Sequence, residues 1–222
     1  MSPSLVDADV NRLATAIAPS PDDVLADMHD RAERESFPHV GPAVGGWLAL
    51  LARAVDARRV FEFGSGFGYS AYWIARELPA GGEVVLTEVD ADELDLARDY
   101  FERGGLADRA RFEHGDALET VEAVDGAVDL VLIDHQKERY VEAFEAIRDH
   151  VPAGGIVTAD NAVTAGHVEP ADVRALLEGR DRPDASEASR GIAAYLRRVR
   201  DDAAFTTGLL GLGEGLAVSV RH

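Results

Sequence analysis

The stretch Val60-Phe61-Glu62-Phe63-Gly64-Ser65-Gly66-Phe67-Gly68-Tyr69-Ser70 decides the fold. Its apolar start reads as a strand, Val60 to Phe63, and Tyr69 to Leu78 reads as a helix. Between them lies a glycine-rich turn. The same alternation continues outward. Glu83–Val89, Arg111–His114, Val128–Ile133 and Gly155–Ala159 read as strands. Ala91–Arg103, Ala117–Ala123 and Arg139–His150 read as the helices that separate them. Repeated βα units predict a doubly wound, mostly parallel α/β sheet with helices on both faces. At the end, Phe205–Leu210 and Leu216–Arg221 surround three glycines and predict an antiparallel pair at the sheet edge. Before the first strand, residues 1–58 read as helical, with a helix start at Ser20-Pro21-Asp22-Asp23, a Gly/Pro-rich break from Phe37 to Gly46 and an apolar helix from Trp47 to Val55. Residues 178–190 read as a loop, and Ile192–Asp202 as a helix. The whole of residues 1–222 is read as one domain: a core of 59–222 with residues 1–58 as a helical cap.

Charge narrows the function. The 222 residues carry 41 acids against 22 bases, a net charge of −19. So few bases disfavour a nucleic-acid face or an anionic membrane surface. There is no cysteine, hence no disulfide and no thiolate-ligated metal. The first residues lack a signal-peptide pattern and no apolar run reaches the ~18 residues of a membrane span, so a soluble, cytoplasmic protein is expected. Of the 22 bases, Lys137 is the sole lysine and the rest are arginine. Acidic excess with almost no lysine is the composition expected of a salty, halophilic cytoplasm, where a screening length of roughly 3 Å at 1 M damps self-repulsion.

Three positions carry chemistry. The turn has the spacing G-x-G-x-G, not the dinucleotide G-x-G-x-x-G. It fits backbone approach to a nucleotide-like ligand at the switch point of an open sheet, or simply a tight turn. Glu88 closes the second strand 24 residues after Gly64, where a carboxylate reaches ribose hydroxyls; the alternative is a solvent-facing acid. Asp134 follows the fourth strand, and Asp160 and Asn161 follow the fifth. These are hard oxygen donors suited to Mg²⁺, Ca²⁺ or Mn²⁺; singly each also fits a helix cap, and jointly they favour the metal. Lys137, three residues beyond Asp134, stands where arginine is used everywhere else. A lysine can lose its proton and serve as a base, which arginine cannot. No two histidines lie at i, i+4, which disfavours a histidine zinc site; His39 and His114 line the crevice or pack.

Together FEFGSGFGYS, LTEVD, IDHQKERY and ADNAV resemble, in that order, the cation-dependent, S-adenosylmethionine-dependent O-methyltransferases, which include catechol and caffeoyl-CoA O-methyltransferases. The likeness runs from about Val40 to Asn161, and more weakly through GLLGLGEGLAVSVR. It implies a class I methyltransferase fold with seven strands and transfer of methyl to a hydroxyl of a small, catechol-like or vicinal-diol acceptor. It further implies that Glu62, Gly64, Ser65 and Gly66 cradle the methionine part of the cofactor, with Ser70 on its carboxylate and Val40 contacting it through the backbone. Glu88 would hold the ribose, while Ala117 and His135 border the adenine. Asp134, Asp160 and Asn161 would hold the cation, Asp134 bordering the cofactor as well, and Lys137 would take the acceptor proton beside Asp134. A homodimer formed through residues 1–58 and the C-terminal strands is also implied. Gln136 departs from the catechol enzyme's aromatic residue at the adenine, Val44 replaces a lysine, and the late glutamate that orients the second hydroxyl has no evident counterpart. A nicotinamide oxidoreductase, a non-catalytic cofactor binder and a nucleic-acid methyltransferase are the competing readings.

Overall fold

Alternating side chains of the buried strands separate two apolar layers. Val60, Val84, Leu86, Leu130, Leu132, Ile156 and Leu216 belong to one, and Phe61, Phe63, Val85, Val131, Ile133, Val157, Ala159 and Ala217 to the other. That period of two is what a sheet covered on both faces requires. The computed structural model describes residues 8–222. The first seven residues of the expected cap lie outside this range. Seven strands form one sheet: β1 (Arg59–Phe63), β2 (Glu83–Glu88), β3 (Ala110–His114), β4 (Leu130–Ile133), β5 (Ile156–Ala159), β6 (Phe205–Leu210) and β7 (Leu216–Arg221). Their order is β3-β2-β1-β4-β5-β7-β6. The first five are parallel, and β7 runs antiparallel between β5 and β6. The chain therefore winds outward in both directions from β1 and β4, and their carboxyl ends open the crevice where such sheets take ligands.

Helices α1 (Ala8–Ile17), α2 (Asp23–Glu35), α3 (Gly41–Ala54), α4 (Tyr69–Ala75) and α5 (Ala91–Arg103) precede β3; α6 (Ala117–Val121), α7 (Tyr140–Ile147), α8 (Pro170–Leu177) and α9 (Glu187–Arg200) follow it. Leu25, Met28 and Ala32 of α2 and Val44 and Leu48 of α3 are buried in the same layer as Trp73 and Tyr72 of α4. The segment before β1 is thus continuous with the core. No helix among the described residues is long and apolar enough to cross a membrane.

Two helices begin earlier than expected from the sequence. Gly45 and Gly46 lie inside α3, not in a break, because a Cβ on Gly45 would meet the Trp73 ring at 2.4 Å and one on Gly46 would meet Ala18 Cβ at 2.8 Å. Helix α9 starts at Glu187, inside the expected loop, with the Ser186 side chain accepting from Ser189 N–H at 3.0 Å. Gly191 within it lets α9 approach the turn that carries Lys137, since a Cβ there would lie 2.3 Å from the Lys137 carbonyl oxygen.

Glu62 points into the α2–α5 layer and is fully buried, its Oε1 accepting from the Ser70 hydroxyl of α4 and its Oε2 unpartnered. Burial pushes its carboxyl up from 4.5 to about 8; the Ser70 hydrogen bond offsets this in part and the charges of Asp134 and Glu88 add to it. A folded-state value above the unfolded one gives a contribution that is full at low pH and lost as pH rises through about 8. Glu62→Gln should therefore gain melting temperature relative to the ligand-free wild type as pH rises from about 4.5 to about 8. A pH-independent difference between the two melting curves would contradict this.

Candidate active site

At the end of β1 the backbone turns through Gly64 and Gly66, both at positive φ (81° and 49°). The conformation and the space both require glycine: a Cβ on Gly64 would lie 2.8 Å from the Asp134 carbonyl oxygen, and one on Gly66 3.0 Å from the Phe37 ring. Ser65 N–H donates to the Thr87 carbonyl at 3.0 Å, and Gly66 N–H to Glu88 Oε2 at 2.8 Å. Glu88 Oε1 accepts from the N–H groups of Val89 and Asp90, at 2.8 and 3.0 Å. Three backbone donors thus orient the carboxylate. By lone-pair count Oε2 keeps one free acceptor position.

A cavity of about 400 Å³ opens here, within the range of small-molecule sites. Val40, Gly64, Ser65, Gly66, Ser70, Glu88, Ala117, Asp134, His135, Lys137, Asp160 and Asn161 all line it. Glu62 does not line it; it stands behind Ser70, whose hydroxyl donates to its Oε1. His135 packs flat against Tyr140, ring centroids 5.5 Å apart and planes 7° apart, and neither ring nitrogen has a hydrogen-bond partner. Burial, then the nearby Arg139 and Lys137 charges, hold it down at about 4, so at neutral pH it presents an uncharged flat wall. His114 Nε2 donates to the Val89 carbonyl, away from the lining.

At the other end of the cavity, paired strands set the carboxylates side by side. Ile133 of β4 pairs with Ala159 of β5, so Asp134 and Asp160 follow at the same level. Asp160 N–H donates to the Ile133 carbonyl at 3.1 Å, and Asp134 N–H to the Phe63 carbonyl at 2.9 Å. Neither aspartate is the cap of a helix: α7 and α8 are preceded by Arg139 and Glu169 at their cap positions. The capping alternative falls. Asp160 is buried and its Oδ1 has no partner. Burial pushes its carboxyl well up, and the Asp134 charge pushes further. Asp134 is raised by burial and relieved by Lys137, whose Nζ lies 3.1 Å from Asp134 Oδ1 and 3.1 Å from the His135 carbonyl oxygen. An unpartnered buried carboxylate oxygen beside a second carboxylate is what a bound cation would satisfy, so these residues fit a hard divalent ion.

Asn161 adopts the left-handed region, φ 56°, which asparagine tolerates better than most residues. Its Nδ2 donates to Glu214 Oε2 at 2.5 Å, leaving Oδ1 for another partner. Glu214 lines the same cavity and burial raises its carboxyl. It arrives on the β6–β7 connection, held there by Ala162 N–H on the Gly215 carbonyl at 2.8 Å and by Val163 and Thr164 N–H on its own carbonyl at 3.1 and 2.9 Å. The sequence reading found no late glutamate; the signal was the lone acid in Gly211-Leu212-Gly213-Glu214-Gly215. Asp116 was also missed. It lines the cavity while its Oδ1 caps α6 through Leu118 N–H and its Oδ2 accepts from Arg139.

The comparisons with known proteins agree with this geometry. The O-methyltransferase family model matches residues 21–222. A catechol O-methyltransferase of Mycobacterium tuberculosis is 31% identical over 163 residues, 72% of this chain and 74% of its own length. A catechol O-methyltransferase of Niastella koreensis is 34% identical over 134 residues, 58% of this chain and 60% of its own length. In fold, the chain superposes on an O-methyltransferase of Bacillus cereus, solved with SAH, with a TM-score of 0.81 at 24% identity over 96% of this chain and 97% of that one. The nicotinamide reading falls with these matches. With its family model spanning the crevice, the cofactor turn and the C-terminal strands, the chain belongs to the O-methyltransferase family, a class of S-adenosylmethionine-dependent enzymes.

Proposed function

We propose that the protein transfers methyl from S-adenosylmethionine to one hydroxyl of a small acceptor bearing two vicinal oxygens, with a divalent cation, Mg²⁺ or a close relative, held by Asp134, Asp160 and Asn161. The observation that carries the reading is the unpartnered, buried Asp160 Oδ1 in a cavity shared with Lys137, Glu214 and the glycine turn. The catechol names of the two curated relatives support a vicinal-diol acceptor.

When bound, the sulfonium supplies an electrophilic methyl and the cation a positive charge that acidifies a chelated hydroxyl. The chain supplies the rest. The Gly64–Gly66 backbone and Ser70 bind the amino-acid end of the cofactor, Glu88 takes one ribose hydroxyl, and Ala117 with the neutral His135 face the adenine. Lys137 takes the acceptor proton at Nζ. Its Nζ is held in the cavity by Asp134 Oδ1 and the His135 carbonyl oxygen, each at 3.1 Å. Glu214, oriented by Asn161, accepts from the second hydroxyl and so fixes which oxygen meets the methyl. Much of the barrier to a two-substrate reaction is orientational, and fixed groups at both ends of one cavity lower it.

The experiment is a panel of catechols, caffeoyl thioesters and other vicinal diols with isotope-labelled cofactor, with Mg²⁺ or with excess EDTA. Transfer should occur with Mg²⁺ and be lost in EDTA. Lys137→Ala should lower kcat by ~10²-fold or more while cofactor affinity changes little, and Lys137→Arg should not restore it. Full turnover in EDTA, or an unchanged kcat in Lys137→Ala, would overturn the assignment.

We also propose a homodimer. On α1, Val10, Leu13 and Ile17 form an exposed apolar stripe at helical spacing, and Leu50 of α3 is exposed on the neighbouring helix. Leu209 of β6 and Val220 of β7 are also exposed, on opposite faces of the sheet edge. Light scattering should give twice the chain mass, and Leu13→Asp should give a folded monomer. A monomeric wild type would contradict the proposal.

A further inference from the structure

A second cluster of metal-binding side chains stands outside the acidic site. His29 and Glu33 lie four residues apart on α2, so both occupy one face of that helix. The chain leaves α2 through Ser36, Phe37 and Pro38 and returns with His39, whose Nε2 lies 2.8 Å from His29 Nδ1. One ligand atom from each of His29, Glu33 and His39 falls within 4.8 Å of the other two. No two histidines stand at helical spacing in the sequence. The structure pairs a histidine and a glutamate at that spacing and brings the second histidine across a turn.

We propose that His29, Glu33 and His39 form a transition-metal site of the Zn²⁺ class, beside the wall of the cofactor cavity. Two imidazoles and one carboxylate, with one position left open, are a donor set that zinc accepts in tetrahedral geometry. Ligands on one zinc stand no more than about 4.2 Å apart, given bonds of roughly 2.1 Å. The two rings are already inside that limit. Glu33 is exposed, and its carboxylate has no hydrogen bond or ion pair among the described residues, so a side-chain rotation brings it in. The Tyr69 ring stands edge-on to His39 at 5.0 Å and limits its rotation.

Donor chemistry separates this site from the one at Asp134, Asp160 and Asn161. Imidazole nitrogen selects zinc, nickel, copper or cobalt, whereas the all-oxygen set suits Mg²⁺ or Ca²⁺. Phe37, Pro38, His39 and Val40 line the cofactor cavity, so a metal here would tie that wall to α2. The proposal does not depend on the methyl-transfer reading.

Co²⁺ tests it, added to the full chain with Mg²⁺ in excess to fill the oxygen site. The wild type should bind one Co²⁺ per chain with the visible absorption of a nitrogen-ligated, four-coordinate ion, and Zn²⁺ should displace it. Asp160→Asn should bind Co²⁺ as the wild type does. His29→Ala should lose at least the ~10–100-fold in affinity that removal of even an outer-shell partner costs, with its metal-free melting curve confirming a folded chain. Glu33→Gln, a change at an exposed position, should weaken binding in the same direction. Absence of nitrogen-ligated Co²⁺ in the wild type, or equal affinity in His29→Ala, would show that the pair is a simple histidine–histidine hydrogen bond and overturn the proposal.

Discussion

Two carboxylates placed side by side at the ends of β4 and β5 are the constraint on which the site depends. Strand pairing brings Asp134 and Asp160 to one level, and the sheet buries Asp160. Burying one unpaired charge costs several kcal/mol, and burying two together costs more. Lys137 answers Asp134 at 3.1 Å, but Asp160 Oδ1 is left without a partner. The arrangement calls for either a proton or a cation. Beside it Asn161 takes up the left-handed backbone conformation. Such local strain persists where the surrounding structure fixes it, and it gathers at functional sites.

The cofactor end follows a different logic. There the positions are set by backbone donors. Glu88 is held by three N–H groups before any ligand arrives, and the turn at Gly64–Gly66 is shaped by the close approach of Phe37 and the Asp134 peptide. Glu62 is the exception. It keeps a buried acid behind Ser70, with one oxygen unpartnered, close to where the cofactor's charged end would lie. An acid raised by burial at that place is poised to be stabilised by a cationic ligand.

Much of this was legible in the sequence because the relevant signals are local. Strand ends, the glycine turn and the acids that follow β2, β4 and β5 each sit within a few residues of a periodic run. The lone lysine was legible too, since arginine fills every other basic position, and it lies in the cavity. What was not legible depends on contacts between distant segments. Glu214 reaches the site through backbone pairing of residues 162–164 with 214–215, which no local pattern encodes. His39 meets His29 only because the chain reverses after α2. The start of α3 was misplaced because Gly45 and Gly46 read as a break, whereas Gly45 makes room for Trp73, and the start of α9 because its first turn is polar and follows a Gly/Pro/Ser-rich stretch.

On the proposed reading a cation at Asp160 resolves the paired-carboxylate constraint. The most direct measurement is calorimetric titration of Mg²⁺ into the wild type and Asp160→Asn at fixed ionic strength, with melting curves of both in EDTA. The wild type should show a single saturable site that is lost in Asp160→Asn, and Asp160→Asn should melt higher in EDTA, because the variant no longer buries the second acid. Equal Mg²⁺ affinity in the two proteins, or a variant that melts lower in EDTA, would contradict it.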